Sequence, residues 1–293
     1  MKAERIYQRQ DTHHLAHLEV KVPLGKRLLH SDWLQKLIIG FALAGTWETA
    51  ATYIHNNIRH GNLLFPKFSD TVITLGQLLG TGDFWSIIGL TIAVLLACFV
   101  IGTMLAFAFS ALSITTRAGC NFLELVVPPM SSLPAVALIS AAILAFKSNL
   151  TGTVFVVSQA VFWTVLAAIH QGFTQVDSVL KQVGQNYGLS KTAYVFKILV
   201  PAALGSIITG TRLGISRAFQ AFVAVELVLG SVYGNGALGF FIAQAKNDYN
   251  PPLVYAGLFT IMIISFLIDY VAFGYIEKRT IIKWGIKNID NKK

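Results

Sequence analysis

Six long apolar runs constrain the fold of this chain more than any other feature of its sequence. A helix needs about 20 predominantly apolar residues to cross the hydrocarbon core of a bilayer, and the runs reach or approach that length. Only helices and closed barrels satisfy their backbone polar groups in a bilayer. The sequence therefore predicts an all-α membrane protein whose six transmembrane helices span residues 37–54, 84–112, 122–146, 150–168, 204–229 and 253–275.

The composition agrees with a chain whose surface is largely withdrawn from water. Of the 293 residues, 54% are hydrophobic and 13% are charged, whereas soluble domains carry about 25% charged residues. The net charge of +9 comes from basic residues that flank apolar runs, which argues against a nucleic-acid partner. Cys98 and Cys120 lack metal-type spacing and are expected to be packing residues. Since residues 1–36 lack the apolar core of a signal peptide, the first span is expected to direct insertion.

The distribution of basic residues predicts the orientation in the membrane. With a cytoplasmic N-terminus, seventeen lysines and arginines fall in cytoplasmic segments, and four fall in external loops. This asymmetry favours a multi-pass membrane protein with both termini in the cytoplasm. The predicted divisions are a cytoplasmic segment (1–36), a transmembrane domain (37–275) with a cytoplasmic loop (171–205), and a basic cytoplasmic tail (276–293).

The third run contains Pro128, Pro129 and Pro134. Proline removes a backbone hydrogen-bond donor, and a spanning helix tolerates it where neighbouring protein, water or local rearrangement satisfies the freed carbonyls. This segment is therefore expected to pack within protein or beside a cavity.

The loop after the fourth run has the sequence pattern of two short helices. Val179, Leu180 and Val183 form an apolar face on the first of them. Gly188 suits the left-handed conformation that ends a helix, and Ser190 is a plausible N-cap for the second helix. Pro201 is expected to end that second helix before the fifth span.

This loop resembles the cytoplasmic signature of ABC importer permeases, which reads Glu-Ala-Ala, three residues, Gly, nine residues, Ile-x-Leu-Pro. Gly188, Ile198 and Pro201 stand at the required spacing, while Gln182-Val183-Gly184 replaces the triplet and Val200 replaces leucine. The resemblance extends over nearly all of the chain after about residue 45 and is closest to the nitrate/sulfonate/taurine branch. Segments that carry it include residues 65–68, 82–85, 128–135, 210–217 and 234–239.

The resemblance implies a type I importer permease fold in the bacterial plasma (inner) membrane. It also implies that the loop contains a coupling helix that docks on an ATPase dimer. It implies that ATP and Mg²⁺ bind to the ATPase and that this chain binds no cofactor or metal. The other implied partners are a second permease copy (identical or paralogous), an extracytoplasmic solute-binding protein, a small solute and membrane lipid. The residues implied in coupling are Lys181, Gln182, Val183, Gly184, Gln185, Asn186, Tyr187, Gly188, Leu189, Ser190, Ile198 and Pro201. The alternative for this helix is an amphipathic segment that lies on lipid headgroups.

Charged residues at membrane depth usually mark a pathway or an internal pair. We expect Arg212, Arg217, Glu226 and Pro134 to be candidates for the translocation pathway, where an arginine would attract an anion such as nitrate or a sulfonate. Arginines that snorkel to the surface or lock a dimer are the alternative. Arg212 and Glu226 lie about 21 Å apart along one helix, so their partners must come from other elements. His13, His14 and His17 are interpreted as a solvated face.

Other classes of function lack their motifs. The chain has no phosphate-binding Gly-x-x-x-x-Gly-Lys-Ser/Thr loop, and neither Gly-x-Ser-x-Gly nor His-Glu-x-x-His occurs, which argues against ATP hydrolysis and membrane enzymes of those kinds. A secondary transporter or channel remains an alternative, although the two halves show no repeat. Within the importer class, a vitamin precursor or an aromatic compound is an alternative to a small anion as substrate.

Overall fold

The computed structural model describes residues 32–280 except Asn235 and Lys278. All regular structure within these residues is helical, which confirms the predicted all-α class. The interpretation of His13, His14 and His17, and the predictions for residues 281–293, lie outside the described residues.

The helices follow one another through short connections. They are α1 (Asp32–Asn57), α2 (Gly61–Leu64), α3 (Phe68–Leu79), α4 (Gly82–Ser113), α5 (Arg117–Ser131), α6 (Ala135–Phe146), α7 (Asn149–Thr174), α8 (Ser178–Asn186), α9 (Lys191–Tyr194), π1 (Val195–Leu199), α10 (Val200–Ala202), α11 (Leu204–Leu229), α12 (Leu238–Asn247), α13 (Pro251–Leu267), π2 (Ile268–Phe273) and α14 (Gly274–Glu277).

Four helices are individually long and apolar enough to cross a membrane, and two bent pairs raise the number to as many as six. The four are Trp33–Asn57, Gly82–Ser113, Asn149–Thr174 and Pro251–Ile276. The bent pairs are α5 with α6, and the segment Lys191–Ala202 with α11. Each predicted span overlaps one of these elements, but only the first, second, fourth and sixth qualify without a bent partner. The third is two helices, and the fifth qualifies only when α11 is joined to Lys191–Ala202.

Internal contacts divide the chain into two compact units, residues 1–61 and 62–293. In the first unit, α1 exposes most of its apolar side chains, as expected for a helix that faces lipid. The hydroxyl groups of Thr46, Thr49 and Thr52 donate to backbone carbonyls three or four residues earlier. These hydroxyls are thereby satisfied without water.

Helix α7 is the centre of the second unit. It packs against α4, α5, α6 and α11, and half of its most apolar stretch is buried. Small and β-branched residues let its neighbours come close, because membrane helices associate largely by van der Waals packing. A Cβ atom on Gly210 of α11 would collide with the Cβ of Ala168, and one on Gly214 would lie 2.7 Å from the Cγ2 of Val165.

The prolines of the third run produce a break between α5 and α6. Helix α5 includes Pro128 and Pro129 and ends at Ser131, while Pro134 is the N-cap of α6. The two helix axes meet at 99°. The hydroxyls of Ser131 and Ser132 donate to the carbonyls of Pro128 and Pro129, which satisfies two groups at the end of α5. The expectation of a cavity is met, since Pro134 lines one.

The second short helix of the loop ends before the fifth span, as predicted, but one residue beyond Pro201. Helical backbone continues through Pro201 to Ala202, and the chain bends by 77° before α11. The reason is a π turn, in which the N–H of Val200 donates to the carbonyl of Val195. The wider turn brings Pro201 to the start of α10, where the missing N–H of a proline is tolerated.

Candidate functional site

Local side-chain chemistry forms the two helices of the loop, as predicted. The Oδ1 of Asp177 accepts the N–H of Val179 at 2.9 Å and caps α8. Gly188 adopts a φ of +61°, and the N–H of Leu189 donates to the carbonyl of Gly184, which is the hydrogen bond of a Schellman motif. The hydroxyl of Ser190 accepts the N–H of Ala193 and caps α9. The predictions for Gly188 and Ser190 are confirmed.

Helix α8 folds back on the helix that follows it through Gly184. This residue is buried, and a Cβ there would lie 2.6 Å from the Cδ2 of Tyr194 and 3.1 Å from the Cδ1 of Ile198. A residue with a side chain would displace the tyrosine ring. Glycine in the altered triplet therefore fits the packing of this particular loop.

The apolar face of α8 points away from the rest of the chain. Val179 is 59% exposed and Tyr187, two turns later, is 80% exposed, with Leu180 and Val183 exposed beside them. We call these four residues the apolar strip. Among the other predicted coupling residues, Gln182 and Asn186 are exposed on α8, while Lys181 and Gln185 continue its backbone. These four side chains are therefore exposed rather than packed in the interior.

A cavity of about 770 Å³ lies between the loop and the neighbouring ends of α4, α5 and α7. The loop contributes Gly184, Leu189 and Tyr194 to its wall. The connection between α4 and α5, the first turn of α5 and the end of α7 also line it. The loop therefore faces the end of α7 and the start of α5 across this cavity.

Two of the four predicted pathway residues meet in a second cavity. Arg217 of α11 and Pro134 line a space of about 360 Å³. Gln159 and Thr164 of α7, Gln220 of α11 and the hydroxyl-bearing residues of the α5–α6 break also line this space. Within the described part of the chain, no ion pair is recorded for Arg217. We call this space the arginine cavity; it offers one positive charge and several hydrogen-bond donors to a small solute.

Glu226 occupies a different place and makes contacts that the sequence does not predict. It is 1% exposed. Its Oε1 accepts the N–H of Ala237 at 2.9 Å, and its Oε2 accepts those of Gly239 and Phe240 at 3.0 and 3.3 Å. The carboxylate thus caps the N-terminus of α12, which has no capping side chain of its own. The sequence carries one indication of this cap. The N-cap position of α12 is Ala237, where Ser, Thr, Asp or Asn is usual, so the cap must come from elsewhere.

Arg212 also lies outside the arginine cavity and has a partner on another helix, as expected. Its Nε is 2.7 Å from the Oδ1 of Asp269 in π2, and its guanidinium carbon lies 5.5 Å from the ring centroid of Phe273. Arg212 therefore joins α11 to the last membrane-crossing segment.

Comparison with known proteins agrees with this arrangement. The family described as binding-protein-dependent transport system inner membrane component matches residues 89–282, a range that contains the loop and both cavities. A "Probable ABC transporter permease protein" of Brucella melitensis is 28% identical over 199 residues, which cover 68% of this chain and 77% of that protein.

Two further relatives have substrates in their names. The nitrate import permease protein NrtB of Synechocystis is 32% identical over 148 residues, half of each chain. The taurine transport system permease protein TauC of Escherichia coli is 28% identical over 143 residues, 49% of this chain and 48% of that protein. With the family match over well over half of its length, the chain belongs to the binding-protein-dependent transport system inner membrane component family and is a permease of the ABC importer type, not itself an enzyme.

Proposed function

We propose that this permease forms the translocation pathway with a second permease copy and that the segment Lys181–Ser190 couples it to a partner ATPase dimer. The ATPase binds ATP and Mg²⁺, and an extracytoplasmic binding protein delivers the solute. ATP binding closes the ATPase dimer, the docked segments move with it, and the pathway changes the side to which it opens.

The exposed apolar strip on α8 carries this proposal. Apolar side chains at one-turn spacing on an exposed helix are typical of a helix that docks in a groove of a partner. The strip lies within the range that matches the importer family. Gly184, Gly188 and Ser190 give the segment a defined shape through packing, a left-handed turn and a cap.

A charge placed in the strip tests the docking. We expect Tyr187→Asp to release the ATPase from the purified assembly, because a carboxylate in an apolar groove is left without a partner. Tyr249→Asp is the matched control, since Tyr249 is 79% exposed in the connection between α12 and α13. The amount of ATPase that co-purifies with each variant is measured. Equal retention in both variants would contradict the proposal.

In the proposed orientation the coupling segment and both termini lie in the cytoplasm. The asymmetry of seventeen basic residues against four supports it. A single cysteine at position 187, in a chain without Cys98 and Cys120, should react with a membrane-impermeant maleimide in inverted vesicles but not in intact cells. A cysteine at position 249 should show the opposite pattern. Labelling of position 187 from outside would reverse the topology.

We propose that the solute is a small anion of the nitrate, sulfonate or taurine type that passes through the arginine cavity. Support comes from Arg217, from the uncharged polar residues around it, and from relatives named for nitrate and taurine. Isotope-labelled nitrate and taurine are the probes. Arg217→Gln should lower their uptake while basal ATP hydrolysis persists, and Arg217→Lys should retain more uptake because it keeps the charge. Failure of Arg217→Gln to assemble with the ATPase would instead assign Arg217 to the dimer or the fold.

A further inference from the structure

Three side chains of metal-binding type meet where α5 begins and α7 ends. Cys120 and Glu124 lie one turn apart on α5, so both face the same side of the helix, and His170 lies one turn before the end of α7. One ligand atom from each of the three residues lies within 4.8 Å of the other two. We propose that Cys120, Glu124 and His170 form a binding site for a divalent transition metal of the zinc type.

The burial of His170 supports this assignment independently. The residue is 8% exposed, and its Nδ1 has no hydrogen-bond partner among the described residues. A buried polar group without a partner is unfavourable by about 1–3 kcal/mol. A metal ion held between Cys120 and Glu124 would give the Nδ1 of His170 a partner, since neither side chain hydrogen-bonds to that atom.

The three ligand types define the class of metal. A thiolate and an imidazole favour Zn²⁺ and similar borderline ions, whereas Mg²⁺ and Ca²⁺ prefer sets made of oxygen. Three protein ligands leave the fourth position of a tetrahedral ion to water. This site was not predicted from the sequence, since His170 lies far along the chain from the other two ligands and only the packing of α5 on α7 brings them together.

The position of the site also provides a route for the ion and a consequence of its binding. Cys120 lines the 770 Å³ cavity that separates the loop from the helices, so an ion can enter from the aqueous side of the loop. A bound ion ties the start of α5 to the end of α7 directly beside the coupling segment. It therefore stabilises the surface against which that segment moves.

Cobalt binding to the full-length protein in detergent tests the proposal. Cys98→Ala leaves Cys120 as the sole thiol, since the chain has two cysteines. We expect Co²⁺ to produce a cobalt–thiolate charge-transfer absorption that saturates at one ion per chain and is displaced by Zn²⁺. The histidines near the N-terminus do not interfere, because imidazole binding produces no such absorption.

Variants of each ligand make the test specific. In the Cys98→Ala background, Cys120→Ser should abolish the absorption, and Glu124→Gln and His170→Gln should each weaken Co²⁺ binding at least about tenfold. Glu124 is exposed, so Glu124→Gln is expected to fold normally, and gel filtration verifies this. A folded Cys98→Ala protein without the absorption would overturn the proposal, as would Co²⁺ binding unchanged by both Glu124→Gln and His170→Gln.

Discussion

The Nε of Arg212 lies 2.7 Å from the Oδ1 of Asp269 and joins α11 to the last membrane-crossing segment. Both side chains are partly exposed, at 39% and 48%, so the pair is not fully buried within the chain. Polar contacts between membrane helices contribute about 1 kcal/mol each, and this pair is expected to fall in that range.

Exchange of the two charges tests the pair. Arg212→Asp and Asp269→Arg should each lower the Tm of the purified protein, because each places two like charges together. The double variant should recover most of the loss. Thermal unfolding of all four proteins gives the coupling energy. If the double variant loses as much stability as the two single variants lose together, the two side chains do not interact.

Substitution of Glu226 should uncap α12. Glu226→Ala leaves the buried N–H groups of Ala237 and Gly239, and the part-buried N–H of Phe240, without their acceptor. A buried unsatisfied group costs about 1–3 kcal/mol. Glu226→Gln keeps one acceptor oxygen and should destabilise less. Hydrogen exchange of α12, together with thermal unfolding, measures both effects. If the alanine variant exchanged no faster than the glutamine variant, the cap would not stabilise α12.

A methyl group on Gly184 should loosen the coupling segment. The added Cβ would lie 2.6 Å from the ring of Tyr194, and overpacking of this kind destabilises by about 1–3 kcal/mol. Faster hydrogen exchange is expected across Ser178–Asn186. Gly205→Ala is the control, since a Cβ at Gly205 meets nothing within 4 Å. Addition of Tyr194→Leu to Gly184→Ala should restore protection; persistence of fast exchange would assign the effect to the backbone of α8.

The crossing of α7 and α11 should respond to an exchange of two small residues. Gly210→Ala brings a new methyl group against the Cβ of Ala168 and should lower stability by about 1–3 kcal/mol. Ala168→Gly in the same protein removes the clashing atom and should recover stability. Denaturation in detergent compares the variants. An equal loss in the double variant would show that the close approach is not what Gly210 provides.

Features set by neighbouring residues could be predicted from the sequence. The apolar runs identify the membrane segments because length and polarity are local properties. Gly188 and Ser190 were predicted correctly because the left-handed turn and the cap depend on residues two or three positions away. Pro201 was placed less accurately, since the π turn before it depends on how the chain leaves the loop.

Features set by packing could not be predicted in this way. The partners of Glu226 follow it by 11 to 14 residues on another element, and Asp269 lies on a separate helix from Arg212. The cluster of His170 with Cys120 and Glu124 likewise requires α5 to pack on α7. Hydrophobic periodicity describes which face of a helix is buried but not which helix covers it.

Cross-linking from position 187 tests the coupling of this permease to an ATPase most directly. A single cysteine is placed at Tyr187, or at the equally exposed Tyr249 as control, in a chain without Cys98 and Cys120. Native membranes are treated with a short thiol-to-amine cross-linker, and the products are identified by mass spectrometry. The account predicts that position 187 alone joins a protein with an ATP-binding phosphate loop. A position 187 that reacts fully with the reagent yet never joins an ATPase would contradict it.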